Sequence, residues 1–449
     1  MSGGTWTNQN KVLPGVYIRF KAAEGAGLTV GERGTVAICE PLSWGAVDTV
    51  QIIETGADYT PFTGYSGAVE QNRFLQEIFK GSNRTPAPNK ILLYRPAGSG
   101  AAKAAATQDN LTVTALYPGK RGNDVSIIVA VETDETYTVQ TVVDNLVVDE
   151  QNVSAIADLQ ANSWVSFAVS GGADGMGELA ANIGLQLQGG ADGSISAPAY
   201  ADFLTAIEPY AFDILIYDGT DKSVANSMVT FIRRIADENG QYAQLVAANL
   251  TNPDSRYVIN VSSGVIMDDG TVFEPAQTCW WVGGAEAGAR YNDSLTNAVY
   301  PGAVGVQPLQ TNGEKIAAVS AGNLLMFVDG DAVRVVQDIN SLVTYTPDIG
   351  KVYHKNRVMR LCNTIANDIY AQFMQNFIGI VNNNEVGRSR FKSAIVGYLL
   401  DIQGAEGIQN FSPDDVEVLP GNEIDAVVIN LAIQAVDAAE KIYMTVTVA

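Results

Sequence analysis

The chain has 449 residues, a formal net charge of −22 and 47% hydrophobic residues. This length exceeds what one core accommodates and predicts two to four domains, and the negative charge argues against binding to nucleic acid or anionic membranes. The three cysteines form no C-x-x-C motif, so we expect neither a zinc site nor a disulfide framework. Without an 18-residue apolar run or a signal-peptide pattern, we expect synthesis and assembly in the cytoplasm.

The amino end, residues 1–21, is predicted to be an arm that contains a β-strand. After the polar lead Ser2 to Asn10, Pro14 and Gly15 mark the entry to the strand. Alternate side chains then point to opposite faces, a pattern typical of a strand. The predicted strand residues are Val16, Tyr17, Ile18, Arg19 and Phe20.

Residues 22–97 predict the first part of an α/β core. Short apolar strands at Thr35 to Cys39, Val50 to Ile53 and Lys90 to Tyr94 alternate with a helix at Val69 to Phe79. A linker of small residues begins at Gly98, and residues 98–195 then read as an inserted β-rich domain. Its predicted strands are Leu111 to Leu116, Asp124 to Val131, Tyr137 to Val143 and Trp164 to Val169.

Residues 196–345 return to the α/β pattern. A buried-type strand at Asp213 to Tyr217, a helix at Ser223 to Glu238 and a strand at Gln244 to Ala248 form a βαβ unit. Residues 275–289 have few charges and many small side chains, as expected of a helix packed closely on a sheet. Asp329, Gly330 and Asp331 predict a hairpin between strands at Leu324 to Val328 and Ala332 to Val336.

Residues 346–449 predict a carboxyl-terminal domain of helices and strands. Apolar side chains recur along one stripe of a long helix at Val352 to Ile378, and a second helix is predicted at about Ser389 to Ile402. Residues 425–449 form an extended terminal arm that we expect to contain a hairpin or a pair of strands. In its last strand, Ile442, Met444, Val446 and Val448 face one side, and Tyr443, Thr445 and Thr447 face the other.

A strand at a free chain end exposes unpaired N–H and C=O groups, which must find the edge of a sheet. Two such strands, at opposite ends of one chain, suggest a protein that links to copies of itself. The alternative at this point is that both strands complete the protein's own sheet.

The residue patterns predict no catalytic, cofactor-binding or metal-binding site. The single histidine, His354, lies in a basic helix start, and the nearest nucleophile pattern, around Ser320, lacks the first glycine of G-x-S-x-G. We expect His354 to be solvated or to cap a helix. The GGADG sequence at Gly171 to Gly175 and again at Gly189 to Gly193 lacks the context of a dinucleotide site and is typical of turns.

Three cations cluster at the predicted start of the second helix: Arg388, Arg390 and Lys392. The helix dipole disfavours cations in a first turn. Placing three of them there, in a chain of strongly negative charge, leads to the hypothesis that this turn docks an acidic protein. A solvated helix end is the alternative explanation.

The order of these segments resembles the sheath proteins of contractile phage tails, phage-tail-like bacteriocins and related injection systems, particularly the sheaths of Gram-positive prophages. Gly3 to Phe20 resembles the amino arm of the family, above all in Pro14 to Tyr17. The other matching segments are Tyr117 to Asp124 at the start of the inserted domain, Leu187 to Gly193 at its return, Val333 to Asn340 before the long helix and Ile365 to Ile369 inside it.

This resemblance implies a structural subunit without enzymatic activity or cofactors, in an α/β fold with an inserted β domain. Terminal strands donated to neighbours would build rings, six-fold in the family, stacked around an inner tube, with baseplate and tail terminator proteins as further partners. No nucleic acid would be bound, and no membrane insertion would occur. The sheath would belong to a virion tail or a phage-tail-like particle, and its contraction would drive the tube through a target envelope. The alternatives are an α/β hydrolase and another tube or baseplate protein.

Overall fold

The computed structural model describes residues 2–4, 15–17, 28–132, 136–170 and 177–448. The chain divides into two compact units: Met1–Val30 with Asp368–Gln434, and Gly31–Asn367 with Ala435–Ala449. We call the larger one the α/β unit and the smaller one the helix–hairpin unit. The mixed α/β class with several domains is confirmed, whereas the five boundaries inferred from the sequence stay a prediction.

A seven-stranded sheet forms the centre of the α/β unit. Six of its strands run parallel, and the edge strand Val50–Glu54 is antiparallel to Lys90–Tyr94. In spatial order the strands are Asn323–Leu324, Val258–Val261, Gln244–Ala248, Ile214–Tyr217, Thr35–Cys39, Lys90–Tyr94 and Val50–Glu54. The strand order reverses between Thr35–Cys39 and Ile214–Tyr217, as in doubly wound folds.

Helices cover both faces of this sheet, so its central strands consist mainly of apolar residues. Val36, Ile38, Ile214 and Ile216 pack on one face with Trp281, whereas the alternate strand residues pack on the other face. The helices of the first face are Arg73–Ile78 and Pro275–Gly288, and those of the second are Ala197–Ile207 and Lys222–Glu238. At Gly283 and Gly284 a Cβ atom would meet Ile216 and the backbone of Ile78, which explains the small residues of Pro275–Gly288.

Two carboxyl groups, the buried Glu40 and the half-buried Asp218, lie where the strand order reverses. Glu40 and Asp218 directly follow the adjacent parallel strands Thr35–Cys39 and Ile214–Tyr217, and Trp280 Nε1 donates to Asp218 Oδ2 at 2.9 Å. Burial and the nearby Asp218 hold the pKa of Glu40 well above its ordinary value, and burial raises the pKa of Asp218 as well. The folded chain therefore releases the Glu40 proton at a higher pH than the unfolded chain does.

The inserted segment forms two sheets that enclose their own apolar core. One sheet contains Val165–Val169, Leu111–Ala115 and Ala105–Gln108, and the other contains Leu146–Val153, Tyr137–Val143, Val125–Val131 and Asn182–Gln186. The sequence predicted a linker where Ala105–Gln108 is a strand. The linker prediction was wrong there because Asp109, at φ 51°, makes a tight turn that pairs this strand with Leu111–Ala115.

The segments that enter and leave this insertion pair with each other. Ser99 bridges Ser194, and Ala102 bridges Ala191, both antiparallel. Asn123 Nδ2 donates to the Gly190 carbonyl at 3.0 Å, and the Gly190 N–H donates to Asn123 Oδ1 at 2.8 Å. The second GGADG sequence therefore lies beside the glycine-asparagine turn, whereas Gly171 to Gly175 lie outside the described residues.

Further short elements complete the α/β unit. The predicted hairpin is formed by Met326–Asp329 and Ala332–Val335, with Gly330 at φ 60°. The remaining strands are Gly264–Met267, Val272–Phe273 and Ala303–Gln307, and the remaining helices are Thr60–Thr63 and Asn312–Ser320. Short 3-10 helices span Glu70–Asn72, Lys120–Asp124, Ile156–Asp158 and Lys351–His354.

A buried ionic cluster joins the long helix, Asn356–Asn376, to the sheet-packed helix Pro275–Gly288. Arg360 lies between Glu286 and Asp338, donating to both carboxylates, and all three side chains are almost fully buried. Burial and Asp338 hold the pKa of Glu286 well above its ordinary value. Burial also raises the pKa of Asp338, but Arg360 and the hydrogen bonds to Asp338 outweigh that effect and lower it.

The helix–hairpin unit contains the end of the long helix and the second helix, Glu385–Gly404. Phe373, Phe377 and Phe391 pack their rings with centroids 4.9 to 5.3 Å apart, and Tyr398 donates its hydroxyl to Asp368 at 2.7 Å. The other elements are the strands Ser2–Gly4, Gly15–Tyr17, Ile408–Gln409, Val416–Pro420 and Val427–Leu431 and the 3-10 helix Pro413–Asp415. The strand Gln434–Ala435 lies at the border of the unit.

Candidate assembly surfaces

The segment predicted as a terminal strand pairs with no strand in the part of the chain that the structure describes. Ile442 to Val448 have no strand assignment, and the large apolar side chains in this segment are 74 to 90% exposed. We call this segment the terminal arm. Apolar side chains exposed in this way gain free energy when another surface covers them.

The residue that precedes this arm by two positions is fixed in the α/β unit. Glu440 accepts hydrogen bonds from Thr296 Oγ1 and Gln337 Nε2, each at 2.6 Å, and forms an ion pair with Lys355. Its side chain is 11% exposed. Burial raises the pKa of Glu440, but the hydrogen bonds and Lys355 outweigh that effect and lower it. We call Glu440, Thr296, Gln337 and Lys355 together the tail clamp.

The amino arm is described only in part. Gly15–Tyr17 forms a strand, which pairs in parallel with Ser2–Gly4 in the register Gly3 to Val16. Val16 and Tyr17 are therefore strand residues, as predicted, although the strand Ser2–Gly4 in the polar lead was not predicted. Ile18, Arg19 and Phe20 lie outside the described residues.

A hairpin in the helix–hairpin unit forms a sheet that pairs with no third strand among the described residues. Val416–Pro420 pairs antiparallel with Val427–Leu431, and these strands form a sheet of two. Val418 and Ile429 are half-buried on one face, whereas Leu419 and Val428 are exposed on the other. We call this element the receiving hairpin. The sequence predicted a hairpin or a pair of strands within residues 425–449. Two strands, Val427–Leu431 and Gln434–Ala435, lie there, but the hairpin partner of Val427–Leu431 lies upstream.

The tip of the receiving hairpin is fixed by a side chain that precedes the second helix. Asn383 Nδ2 donates to the carbonyls of Ile424 and Ala426, at 2.9 and 2.8 Å. Ile424 itself is 94% exposed. The tip thus presents an apolar side chain between Glu423 and Asp425.

The second helix begins four residues earlier than predicted, so the three cations do not crowd its first turn. Asn384 is the N-cap and accepts from the Gly387 N–H at 2.8 Å, with Glu385 as the first helical residue. Arg390 and Lys392 lie in later turns, where the dipole effect is weak. Arg388 is half-buried and donates to Asn383 Oδ1 at 3.0 Å. The dipole argument for a docking turn was therefore wrong.

The residues considered for catalysis are engaged in local hydrogen bonds. Ser320 Oγ donates to the Ile316 carbonyl at 2.7 Å, and His354 Nδ1 lies 2.7 Å from the Leu342 carbonyl. Burial lowers the pKa of His354. The prediction that His354 is solvated or caps a helix was wrong, because its side chain is buried against the Leu342 carbonyl. Both residues line a cavity of about 690 Å³.

Neither a metal-type cluster nor a membrane-spanning helix is found in the part of the chain that the structure describes. Within it, His, Cys, Asp and Glu side chains form no group of three that could hold a metal ion. The helices in the same described ranges are too short or too polar to cross a membrane.

Three family models match consecutive parts of the chain. They are the phage tail sheath protein beta-sandwich domain at residues 98–192, the phage tail sheath protein central domain at residues 193–341 and the phage tail sheath C-terminal domain at residues 348–449. The last match includes the receiving hairpin and the terminal arm.

Relatives and solved structures agree with these models. Over the full length of both chains, the sequence is 34% identical to the uncharacterized protein YqbK and 32% identical to the phage-like element PBSX protein XkdK, both of Bacillus subtilis. The crystal structure of a sheath tail protein from Desulfitobacterium hafniense shares 38% identity, with a TM-score of 0.84 over 96% of this chain and 99% of that one. A sheath tail protein from Listeria innocua shares 31% identity, with a TM-score of 0.79 over 93% and 96%.

Proposed function

Because this chain belongs to the phage tail sheath family, we propose that it builds the wall of a contractile tail by donating its terminal arm to a neighbouring copy. The observation that carries the proposal is the arm itself: it alternates like a strand, pairs with no strand among the described residues and exposes its large apolar side chains. The chain is a structural subunit that assembles into a sheath.

The receiving hairpin is the surface that we assign to the incoming arm. Its two strands, Val416–Pro420 and Val427–Leu431, leave edge N–H and C=O groups available for a third strand, and its exposed Leu419 and Val428 can pack against apolar side chains of the arm. If each copy donates its arm to one neighbour and receives the arm of another, the contact is heterologous. Such contacts build rings or open helices rather than closed dimers.

The energy of this exchange is sufficient to link subunits. Each added backbone hydrogen bond contributes about 1 kcal/mol, and fully burying a large apolar side chain contributes about 1.5 to 3 kcal/mol. The cost of ordering the arm offsets part of this gain. Because the proposed exchange involves only the terminal arm and the receiving hairpin, the rest of each subunit would be able to rotate while the link persists.

We assign the amino arm, Val16 to Phe20, to a second link of the same kind. Among the described residues, Gly15–Tyr17 pairs with Ser2–Gly4 over three positions. A sheet so small has little stability by itself. A longer pairing with a neighbouring copy would therefore displace it at low cost.

Contraction and the remaining partners follow as expectations from the family. The sheath would consist of six-fold rings around an inner tube, would end at baseplate and terminator proteins and would store energy as a difference between two packings. Arg390 and Lys392, on the second helix, are proposed to face an acidic tube surface. Arg388 is proposed to support the receiving hairpin through Asn383 rather than to dock the tube.

The protein acts without catalysis in this proposal. The Ser320 hydroxyl donates to a backbone carbonyl, which disfavours the hydrolase alternative, and burial disfavours the charged form of His354. We place the sheath in a virion tail or phage-tail-like particle that assembles in the cytoplasm and binds neither nucleic acid nor membrane.

Deletion of residues 442–449 tests the proposal. We expect a folded chain that elutes as a monomer and forms no tubes by electron microscopy, whereas the full chain forms tubes. The matched control exchanges Thr445 and Thr447 for Val, which keeps strand propensity and length and should preserve tubes. Tubes of normal length from the deleted chain would refute strand donation.

A further inference from the structure

Glu440 is the last residue of the described chain for which the structure shows a side-chain hydrogen bond or ion pair. From Lys441 to Val448 the described residues make neither. The change from a fixed chain to an exposed one therefore occurs at a single position. Resting on the proposed strand donation, we infer that the tail clamp is the joint that positions the terminal arm for a neighbouring copy and transmits force from the arm to the α/β unit.

The partners of Glu440 come from three separate segments of the α/β unit. Thr296 and Gln337 each donate to one carboxylate oxygen, and Lys355 pairs with the Oε2 atom. Thr296 is itself held, because its Oγ1 accepts from the Asp338 N–H at 2.9 Å. Asp338 in turn accepts from the buried Arg360. The clamp is therefore built on the buried ionic cluster around Arg360.

Packing holds the chain only weakly at this position. A cavity of about 690 Å³ and another of about 490 Å³ are both lined by Glu440 and Lys441. Since open space lies beside these residues, their position depends mainly on the clamp. Asp437 contributes less, because its carboxylate is 3.8 Å from Lys355 and more exposed.

The clamp also limits how far the arm can reach. An extended chain spans at most about 3.3 to 3.6 Å per residue. Lys441 to Val448 are eight residues, so the arm ends less than about 30 Å from Glu440. The receiving hairpin of a neighbouring copy must lie within this distance in both the extended and the contracted sheath, as long as the clamp stays closed.

Trypsin tests the clamp directly, because it cleaves after Lys441 only when the chain there can enter the protease. The substrate is the full-length unassembled chain from size-exclusion chromatography, and intact mass spectrometry follows loss of residues 442–449. Lys355→Met leaves the cleaved sequence unchanged and removes the ion pair. Since hydrogen bonds to charged groups are stronger than neutral ones, we expect cleavage about tenfold faster than in the wild type.

Three matched variants separate positioning from general destabilisation. Lys351→Met removes a lysine of the same cavity that has no described ion pair, and we expect less than a twofold change. Lys355→Arg keeps the cation and should restore slow cleavage. Thr296→Val removes the hydrogen bond to Glu440 and the one accepted from the Asp338 N–H, with little change of shape. It should give an intermediate rate, even if Lys355→Met fails to fold. Equal rates in the wild type, Lys355→Met and Thr296→Val would overturn the inference.

Electron microscopy distinguishes failure of the clamp from failure of strand donation. With the arm intact, Lys355→Met should still form tubes, but their diffraction should lose the sharp layer lines of an ordered helix. Wild-type layer lines in Lys355→Met would contradict the role in force transmission. If deletion of residues 442–449 leaves tubes intact, strand donation fails, and the trypsin rates still decide whether the clamp exists.

Discussion

Arg388 Nη1 donates to Asn383 Oδ1 across 3.0 Å, and this contact orients Asn383 toward the receiving hairpin. The amide group of Asn383 then donates to the carbonyls of Ile424 and Ala426 at the hairpin tip. A cation that the sequence suggested for docking a partner therefore supports the element that we assign to the incoming arm. The start of the second helix and the receiving hairpin are connected through one side chain.

Asn383→Ala should loosen the hairpin tip without unfolding the unit. Removing two hydrogen bonds at a partly exposed site costs about 1 to 2 kcal/mol locally. Hydrogen exchange followed by mass spectrometry should show faster exchange at Gly421 and Ala426, whose N–H groups close the tip. Tube formation should become weaker. Asn382→Ala, at the exposed neighbouring position, is the control and should change neither the exchange rate nor tube formation. Identical exchange in both variants would show that Asn383 does not stabilise the hairpin tip.

Arg390 and Lys392 should affect tube binding separately from hairpin stability. In the double variant Arg390→Glu with Lys392→Glu, we expect at least tenfold less co-sedimentation with the cognate inner tube, and unchanged hydrogen exchange at the hairpin tip. Arg388→Glu should leave co-sedimentation with the tube largely unchanged and should raise hydrogen exchange at the hairpin tip, because it removes the donor to Asn383. Full co-sedimentation of the double variant would remove these residues from the tube contact.

Glu40 should make the stability of the α/β unit depend on pH. Its pKa is raised in the folded chain, so the folded state keeps a proton that the unfolded state releases at lower pH. The free energy of unfolding should therefore be greatest at and below the ordinary carboxyl range. As the pH rises from that range toward the pKa of Glu40 in the folded chain, the free energy of unfolding should fall by about 1.4 kcal/mol per pH unit.

The pH dependence is measured by urea unfolding at pH 5 and pH 8, followed by the fluorescence of Trp280 beside Asp218. Glu40→Gln keeps the shape of the side chain and removes the proton release, so its free energy of unfolding should fall less than that of the wild type. Glu54→Gln, at the exposed end of a strand in the same sheet, serves as the control. Parallel pH profiles for the wild type and Glu40→Gln would contradict the retained proton.

Arg360→Met should destabilise the α/β unit severely. It leaves Asp338 buried without its cation, and breaking such a pair costs about 3 to 5 kcal/mol. Arg334→Met is the matched control, because its pair with Asp329 is more exposed and should contribute less than about 1 kcal/mol. Urea unfolding of both variants gives the comparison, and equal midpoints would show that the buried cluster is dispensable.

The sequence predicted elements whose signals are local. Thr35–Cys39 and Ile214–Tyr217 have continuous apolar runs, and the helix Lys222–Glu238 has a clear apolar stripe with Asp221 as its N-cap. The start of the second helix was missed because Asn382, Asn383 and Asn384 are three adjacent candidate caps. Only the structure shows that Asn384 caps the helix while Asn383 binds the hairpin.

The tail clamp had no local signal at all. Glu440 meets Lys355, Gln337 and Thr296, which lie 85, 103 and 144 residues away in sequence. A glutamate in a polar segment before a strand carries no mark of such partners. The alternation of the terminal arm, in contrast, is a local signal. The sequence left open whether the arm pairs with its own sheet, and among the described residues it pairs with no strand.

A cryo-electron microscopy map of the assembled tube tests the central claim most directly. We predict continuous density for Ile442 to Val448 as a third strand along the receiving hairpin of an adjacent copy, with Glu440 still in its own tail clamp. A map in which this segment folds back onto its own subunit and touches no adjacent copy would contradict the account.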